Sequence, residues 1–159
     1  MGFFCGYVLD SHGWHGFDPG SDQIPDTEGP WLSVCIHDSD IAAIRYAPAG
    51  PGSGVAYLGF TPRTYFQKES ASALTDVPRE AEGIACWLVL QHGRSDETDL
   101  RELIASFLAH DIRERQPGNN ASPADDAADL DDADVFVEVK ASRFLKAIGL
   151  PVPAGLPGA

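Results

Sequence analysis

Two short apolar runs separated by an acidic segment place the strongest constraint on the fold. In residues 31–37 (Trp-Leu-Ser-Val-Cys-Ile-His) apolar and polar side chains alternate, and a second β-like run extends from Ile41 to Tyr46. The segment Asp38–Asp40 between them carries Asp and Ser side chains, which favour turns. Two such runs joined by a short turn predict a β-hairpin, and therefore an antiparallel sheet.

Three other segments have the composition of strands. Residues 3–9 and 55–60 are apolar and aromatic segments that border Gly-rich or Asp-rich loops. Residues 84–90 form the longest apolar run, which hydrophobic period alone cannot assign to a buried strand or to a helix. Because Gly83 and Gly93 bracket this run, we favour a strand.

An amphipathic helix is predicted from about Asp96 to Arg115. Apolar side chains recur there at intervals of three and four residues and form a single stripe, consisting of Leu100, Leu103, Ile104, Phe107, Leu108 and Ile112. Acidic residues fill the first turn, where the helix dipole favours negative charge, and Pro117 ends the helix. Together with the strands, this helix predicts an α+β fold: a mostly antiparallel sheet with one long amphipathic helix packed on a face.

The sequence divides into a main domain and a C-terminal extension. Residues 1–118 contain the predicted hairpin and the long helix, and are expected to form the α+β domain. Residues 119–134 consist of Ala, Asp, Asn, Ser and Pro with a single Leu. A segment with so little apolar surface cannot order itself by burial, so a flexible acidic linker is predicted.

The extension ends in a short folded segment and a tail. Residues 135–139 (Val-Phe-Val-Glu-Val) alternate as in a strand, and residues 141–148 predict a short helix closed by a glycine. We expect this 135–150 segment to pack back on the domain. Residues 151–159 are rich in Pro and Gly, and predict a loose tail.

The charge of the chain is strongly negative. It has 24 Asp and Glu residues against 11 Lys and Arg residues, for a net charge of −13. Binding to nucleic acid or to an anionic membrane requires clustered Lys and Arg, so neither is expected as a direct partner. An acidic surface favours a basic protein partner, because opposite fields accelerate association. The alternative is that the excess acid only keeps the protein soluble.

The sequence predicts a cytoplasmic location. The longest apolar run, residues 84–90, is far shorter than the roughly 20 residues that a membrane span needs. Residues 1–6 lack the basic start and the long apolar stretch of a signal peptide. The three cysteines are odd in number and widely spaced, which favours free thiols in a reducing compartment over a disulfide framework.

No segment has the pattern of a catalytic or metal site. The loop at residues 50–54 lacks the spacing and the following helix of a nucleotide-binding motif. His12 and His15 lie in a predicted loop, so no regular element aligns them for a zinc ion. The Asp-rich residues 125–134 lack the Gly and Glu positions of a calcium loop, and there is no nucleophile elbow. The sequence therefore predicts no catalytic residue, no metal and no cofactor, and favours a protein that is not an enzyme.

The acidic loop 10–30 is the leading candidate for a partner-binding site. It carries Trp14 and Phe17 among acids and contains no Lys or Arg, a mixture typical of an aromatic anchor within a charged rim. The alternative is that both aromatic residues cover the sheet as ordinary core. With the acidic turn included, the predicted partner-binding residues are Trp14, Phe17, Asp18, Asp22, Asp26, Glu28, Asp38 and Asp40.

The order of elements in the middle of the chain resembles a known pattern. Residues 32–46 give two strands around an acidic turn, and a Gly-rich loop, an aromatic-containing strand, residues 64–67 and the helix at 100–108 follow. Over residues 31–113 this order resembles one class of bacterial immunity proteins, the small cytosolic antidotes associated with deaminase and nuclease toxins of polymorphic toxin systems. The resemblance implies inhibition by covering the active site of a cognate toxin, with no catalytic residue in the inhibitor.

The leading hypothesis is therefore an immunity-type inhibitor that binds and neutralises a basic, nucleic-acid-targeting toxin. One alternative is a small-molecule-binding protein or enzyme with its site in loops 10–30 and 47–54. Another is a subunit of a larger complex that uses residues 119–159 as a tether. A neighbouring gene that encodes a toxin domain would favour the first, and a tightly bound metal or ligand would favour the second.

Overall fold

The fold is a five-stranded antiparallel sheet with helices packed on one face. The computed structural model describes residues 2–21, 24–25, 27–111 and 136–159. The strands are β1 (Cys5–Asp10), β2 (Gly13–Phe17), β3 (Trp31–His37), β4 (Ile41–Ala47) and β5 (Val55–Gly59), in the sheet order β2-β1-β3-β4-β5. The helices are α1 (Pro62–Tyr65), α2 (Val77–His92), α3 (Glu97–Phe107) and α4 (Val137–Ala147), and a single 3-10 turn spans Glu69–Ala71. The predicted α+β class and antiparallel sheet are confirmed.

The predicted hairpin is present as β3 and β4. The two strands pair from Trp31 opposite Ala47 to His37 opposite Ile41, with the segment Asp38–Asp40 as the turn. Alternate residues of β3 point to the core, as the sequence pattern indicates. The predicted strand at 55–60 is β5, which pairs with the other edge of β4.

The apolar run at 84–90 is helical, so the strand predicted there is wrong. It lies within α2, which begins with Asp76 accepting a hydrogen bond from Arg79 N over 3.1 Å. Gly93 ends the helix in a left-handed conformation with φ of 63°. The run is apolar throughout, although only Ile84, Ala85, Trp87 and Leu88 of it are buried. Periodicity cannot separate a helix from a strand in so short an apolar run.

Residues 135–139 were expected to form a strand, and this prediction is wrong for the part that the structure describes. Val137 begins α4, in which Ala141, Phe144 and Leu145 are buried at helical spacing, and Ile148 is buried just after the helix ends. The alternation of two Val residues with Phe and Glu is compatible with either element over so short a window. The segment folds as a helix because its apolar side chains at helical spacing let α4 pack on the sheet and on α3.

The predicted loop 10–30 contains the edge strand β2, which the sequence analysis missed. Its sequence Gly-Trp-His-Gly-Phe has two glycines, which disfavour a strand and offset the preference of Trp and Phe for one. The strand β2 is stabilised by its pairing with β1, which runs from Gly6 opposite Phe17 to Asp10 opposite Gly13.

The predicted long helix is present as α3 but ends at Phe107, and residues 112–115 lie outside the described residues. Leu108 is extended and buried, and Ala109 N donates to Tyr57 O over 2.7 Å. The chain after α3 therefore leaves the helix to run beside β5. The predicted linker at 119–134 also lies outside the described residues.

One apolar cluster joins the sheet, α2, α3, α4 and the C-terminal segment. Leu32, Ile84 and Phe144 are fully buried in it, and Leu156 is 3% exposed in the same cluster. The tail at 151–159 was predicted to be loose, whereas Leu156 anchors it to the core. Within the described ranges, none of the helices has both the length and the apolar character needed to cross a bilayer.

Candidate functional site

Exposed phenylalanines are concentrated at one end of the sheet. The chain has eight phenylalanines, and five of them are at least about a third exposed: Phe3 (36%), Phe4 (51%), Phe60 (37%), Phe66 (53%) and Phe136 (47%). These five come from three segments that are distant in sequence, at residues 3–4, 60–66 and 136. All three segments meet at the β3–β4 turn.

Hydrogen bonds to the turn hold these segments together. Phe3 N donates to Ser39 Oγ over 2.9 Å, and Ser39 N donates to Phe3 O over 3.3 Å. Phe60 N donates to Asp40 O over 2.9 Å, and Val137 N donates to Ser39 O over 3.0 Å. The N-terminal segment, the end of β5 and the start of α4 are therefore fixed to one turn.

Aromatic rings lie in contact around His37, the last residue of β3. The centroid of its ring is 5.1 Å from that of Phe4, 6.0 Å from Tyr65 and 5.9 Å from Phe66. The Tyr65 ring is in turn 4.9 Å from Phe66 and 6.3 Å from Phe60. We call this surface the aromatic patch, and define it as Phe3, Phe4, His37, Phe60, Tyr65, Phe66 and Phe136.

Two turn residues adopt a backbone conformation that favours glycine. The angle φ is 54° at Asp38 and 59° at Ser39, which costs a non-glycine residue about 1 kcal/mol or more. Both side chains are engaged: the Tyr65 hydroxyl donates to Asp38 Oδ2 over 2.7 Å, and Ser39 Oγ donates to Glu138 Oε1 over 3.1 Å. These bonds offset the strain and orient α1 and α4 against the turn.

The start of α1 is set by local sequence. Thr61 and Thr64 form a capping box, in which each side chain accepts a hydrogen bond from the backbone N–H of the other, and Pro62 occupies the first turn. This arrangement satisfies N–H groups that a helix start leaves free. The cap fixes where this short helix begins, and so it fixes where Tyr65 and Phe66 emerge.

Gly59 permits the close approach of β5 to the turn. Its φ is 76°, and a Cβ atom built on it would collide with Asp40 O and lie 2.9 Å from Val137 Cγ2. No other residue type fits this space without moving the turn or α4. The arrangement of the patch therefore depends on a glycine at this position.

Carboxylates lie next to the aromatic rings. Asp38, Asp40 and Glu138 form no ion pair with any Lys or Arg of the described residues. Glu138 Oε2 is buried and has no hydrogen-bond partner among the described residues. The hydrogen bond to Asp38 raises the pKa of Tyr65, so its hydroxyl stays protonated and keeps donating. Apolar surface thus lies beside negative charge that no Lys or Arg of the described residues pairs with.

The same residues do not form a nucleophile and base. His37, Asp38 and Ser39 are the types found in hydrolases, and such a site needs the serine hydroxyl bonded to the imidazole. Ser39 Oγ instead donates to Glu138 and accepts from Phe3 N. No group of three metal-ligand side chains is brought together in the described part of the chain.

The structure places only part of the predicted site beside the aromatic patch. Asp38 and Asp40 belong to the β3–β4 turn, which the patch adjoins. Trp14 is half-buried, with its indole N–H donating to Pro151 O over 2.8 Å, and the Phe17 ring packs over Gly6. Asp18 and Glu28 are exposed, whereas Asp22 and Asp26 lie outside the described residues.

The sequence analysis missed the aromatic members of the patch. Their residue numbers run from 3 to 136, so no local pattern links them, and exposure of a phenylalanine cannot be read from its identity. The one available signal was the turn at Asp38–Asp40, where two acids occupy a hairpin connection.

The loops proposed for a small-molecule site are largely filled in the described residues. In the loop 47–54, Ser53 N donates to the buried Glu80 carboxylate over 2.9 Å, and Gly52 is itself buried. A cavity between the β1–β2 turn, Pro30 and the end of α2 has a volume of about 160 Å³. Ligand pockets usually have about 300–1,000 Å³, so this cavity does not favour the small-molecule hypothesis.

None of the protein-family models, curated proteins or solved structures compared with this chain matches it. The resemblance to immunity proteins therefore stays a prediction. The functional argument rests on the geometry and charge of the aromatic patch.

Proposed function

We propose that this protein acts by binding another protein through the aromatic patch, as an immunity-type inhibitor of a basic bacterial toxin. The observation that carries the proposal is the concentration of all five exposed phenylalanines at one acid-lined end of the sheet. We further propose that the inhibitor works in the cytoplasm.

Aromatic exposure supports a protein partner. The exposed part of a phenylalanine side chain contributes nothing to the stability of the free protein, and contiguous exposed apolar surface commonly marks an interaction site. Interface centres are enriched in aromatic residues that fill pockets on the partner, with polar residues around them. The patch has this composition, with Asp38, Asp40 and Glu138 beside the rings.

Charge supports a basic partner. The chain carries a net charge of −13, and the three carboxylates at the patch lack ionic partners among the described residues. A complementary positive surface would be steered toward the patch and held in register there. Toxins that act on nucleic acid need basic surface around their substrate site, so an acidic inhibitor can occupy the same surface.

The test begins with the genes beside this one. We expect one of them to encode a toxin domain whose induction stops bacterial growth, and whose co-expression with this protein restores growth. The double variant Phe4→Ala/Phe66→Ala should lose this protection and weaken binding to the purified toxin domain by roughly 30-fold or more, as expected when interface anchors are removed.

The control replaces two apolar residues elsewhere that are more exposed than Phe4 and Phe66. Leu74 and Leu90 are 75% and 67% exposed, so Leu74→Ala/Leu90→Ala should protect cells as the wild type does. Absence of a toxin gene would contradict the inhibitor role. Full protection by the phenylalanine variant, with protection lost instead in Asp18→Asn/Glu28→Gln, would move the interface to loop 10–30.

A further inference from the structure

Three carboxylates lie beside the aromatic patch. That of Asp40 is the one with no hydrogen-bond or ion-pair partner among the described residues. One oxygen of Asp38 accepts from Tyr65, and one oxygen of Glu138 accepts from Ser39. The Asp40 main chain is bonded, since its N–H donates to His37 O and its carbonyl accepts from Phe60 N. No hydrogen bond or ion pair of its carboxylate is found within the described residues. Its charge is therefore available to an incoming group.

Aromatic residues lie at the turn that carries Asp40. Phe60 is hydrogen-bonded to the Asp40 main chain, and its ring is 6.3 Å from that of Tyr65 at an interplanar angle of 54°. Phe66 follows, 4.9 Å from Tyr65 and 53% exposed. The Asp40 charge also contributes, after the Asp38 hydrogen bond, burial and the Asp38 charge, to the raised pKa of Tyr65.

A carboxylate beside exposed ring faces suits a guanidinium better than an ammonium. Guanidinium is planar, pairs with a carboxylate through two parallel N–H groups and stacks on aromatic faces. An ammonium is compact and strongly hydrated, so it gains the charge interaction but loses more of its hydration on stacking. We therefore expect the patch to bind a guanidinium more tightly than an ammonium, although the two cations carry equal charge.

We infer that the aromatic patch engages its partner through an arginine side chain, with the guanidinium paired to Asp40 and stacked on the Phe66 ring, which is 53% exposed and nearly perpendicular to the Tyr65 ring. The inference rests on the proposed function for the existence of a partner. The selectivity for arginine over lysine follows from the patch alone. It is therefore testable on the full chain without a partner.

The probes are N-acetyl-arginine N-methylamide and N-acetyl-lysine N-methylamide, titrated into the isotope-labelled full-length protein and followed by NMR of the aromatic side chains. The arginine compound should shift the Tyr65 and Phe66 ring signals with a Kd about threefold or more below that of the lysine compound. Asp40→Asn should abolish this preference. Asp99→Asn, the same chemical change at an exposed position in α3, should leave it intact.

Equal responses to the two compounds, no response of these rings to either, or a preference that survives Asp40→Asn would overturn the inference. Failure of the growth assay is separate from these results. An arginine preference without protection would reject the toxin-inhibitor role but keep the arginine site. Protection without an arginine preference would keep the toxin-inhibitor role but reject the arginine site.

Discussion

Glu80 is the only charged side chain that is buried among the described residues, at 4% exposed. The Tyr46 hydroxyl donates to Glu80 Oε2 over 2.5 Å, and Ser53 N donates to Oε1 over 2.9 Å. Burial, followed by these contacts with Glu80, raises the pKa of Tyr46, so its hydroxyl remains a donor across the physiological range. Because Ser53 lies in the loop after β4, this carboxylate fastens that loop to α2.

Replacing Glu80 should therefore cost more than replacing a neighbouring glutamate. In Glu80→Ala the buried Tyr46 hydroxyl and Ser53 N–H lose their acceptor, and we expect the free energy of unfolding to fall by about 2–3 kcal/mol. Glu82 lies on the same helix and forms a surface ion pair of 3.8 Å with Arg101, so Glu82→Ala should cost less than about 1 kcal/mol. Urea denaturation measures both, and equal losses would show that the buried contacts do not stabilise the fold.

At the scale of elements, the sequence was informative where periodicity was clear and misleading where it was short or absent. The alternation of β3 and the turn after it predicted the hairpin correctly. The run at 84–90 is apolar on every side, and its glycines have helical roles: Gly93 ends α2, and Gly83 lies against Gly52. A bracketing glycine therefore marks a boundary or a close packing contact, and does not by itself indicate a strand.

The join between β5 and the turn gives a test at this scale. Gly59 and Gly93 both have positive φ, at 76° and 63°, but only at Gly59 would a Cβ atom meet other atoms. Gly93→Ala should cost about 1 kcal/mol for its backbone conformation alone. Gly59→Ala should cost roughly 1–3 kcal/mol more, because overpacking adds to the same backbone cost.

Chemical denaturation and aromatic NMR spectra distinguish these outcomes. Gly59→Ala should also shift the ring signals of the aromatic patch, whereas Gly93→Ala should not. Equal stability losses and unchanged ring signals in both variants would contradict the role assigned to the close approach.

At the scale of the whole molecule, elements far apart in sequence share one core. Trp14, in an edge strand that the sequence did not reveal, is hydrogen-bonded to Pro151, and Leu156 is buried with residues of β3 and α2. The sequence predicted the fold class because that depends on local patterns. It did not predict the aromatic patch, because five exposed phenylalanines become neighbours only through tertiary contacts.

The C-terminal segment should stabilise the fold despite its Pro-rich composition. Deleting residues 151–159 removes the buried Leu156 and the acceptor of the Trp14 indole, and we expect a loss of about 2–4 kcal/mol. Residues 157–159 are exposed, so deleting these three alone should have little effect. Thermal unfolding of the two truncated proteins provides the comparison, and an unchanged Tm after the longer deletion would mean that the segment is dispensable.

The turn at Asp38–Asp40 binds residue 3 on one side and residue 137 on the other, which has a consequence for synthesis. A chain still being translated can form the hairpin early, yet it cannot complete the aromatic patch before α4 has left the ribosome. The aromatic patch is thus assembled only after residue 137 has been translated, roughly a hundred residues later than the hairpin on which it is built.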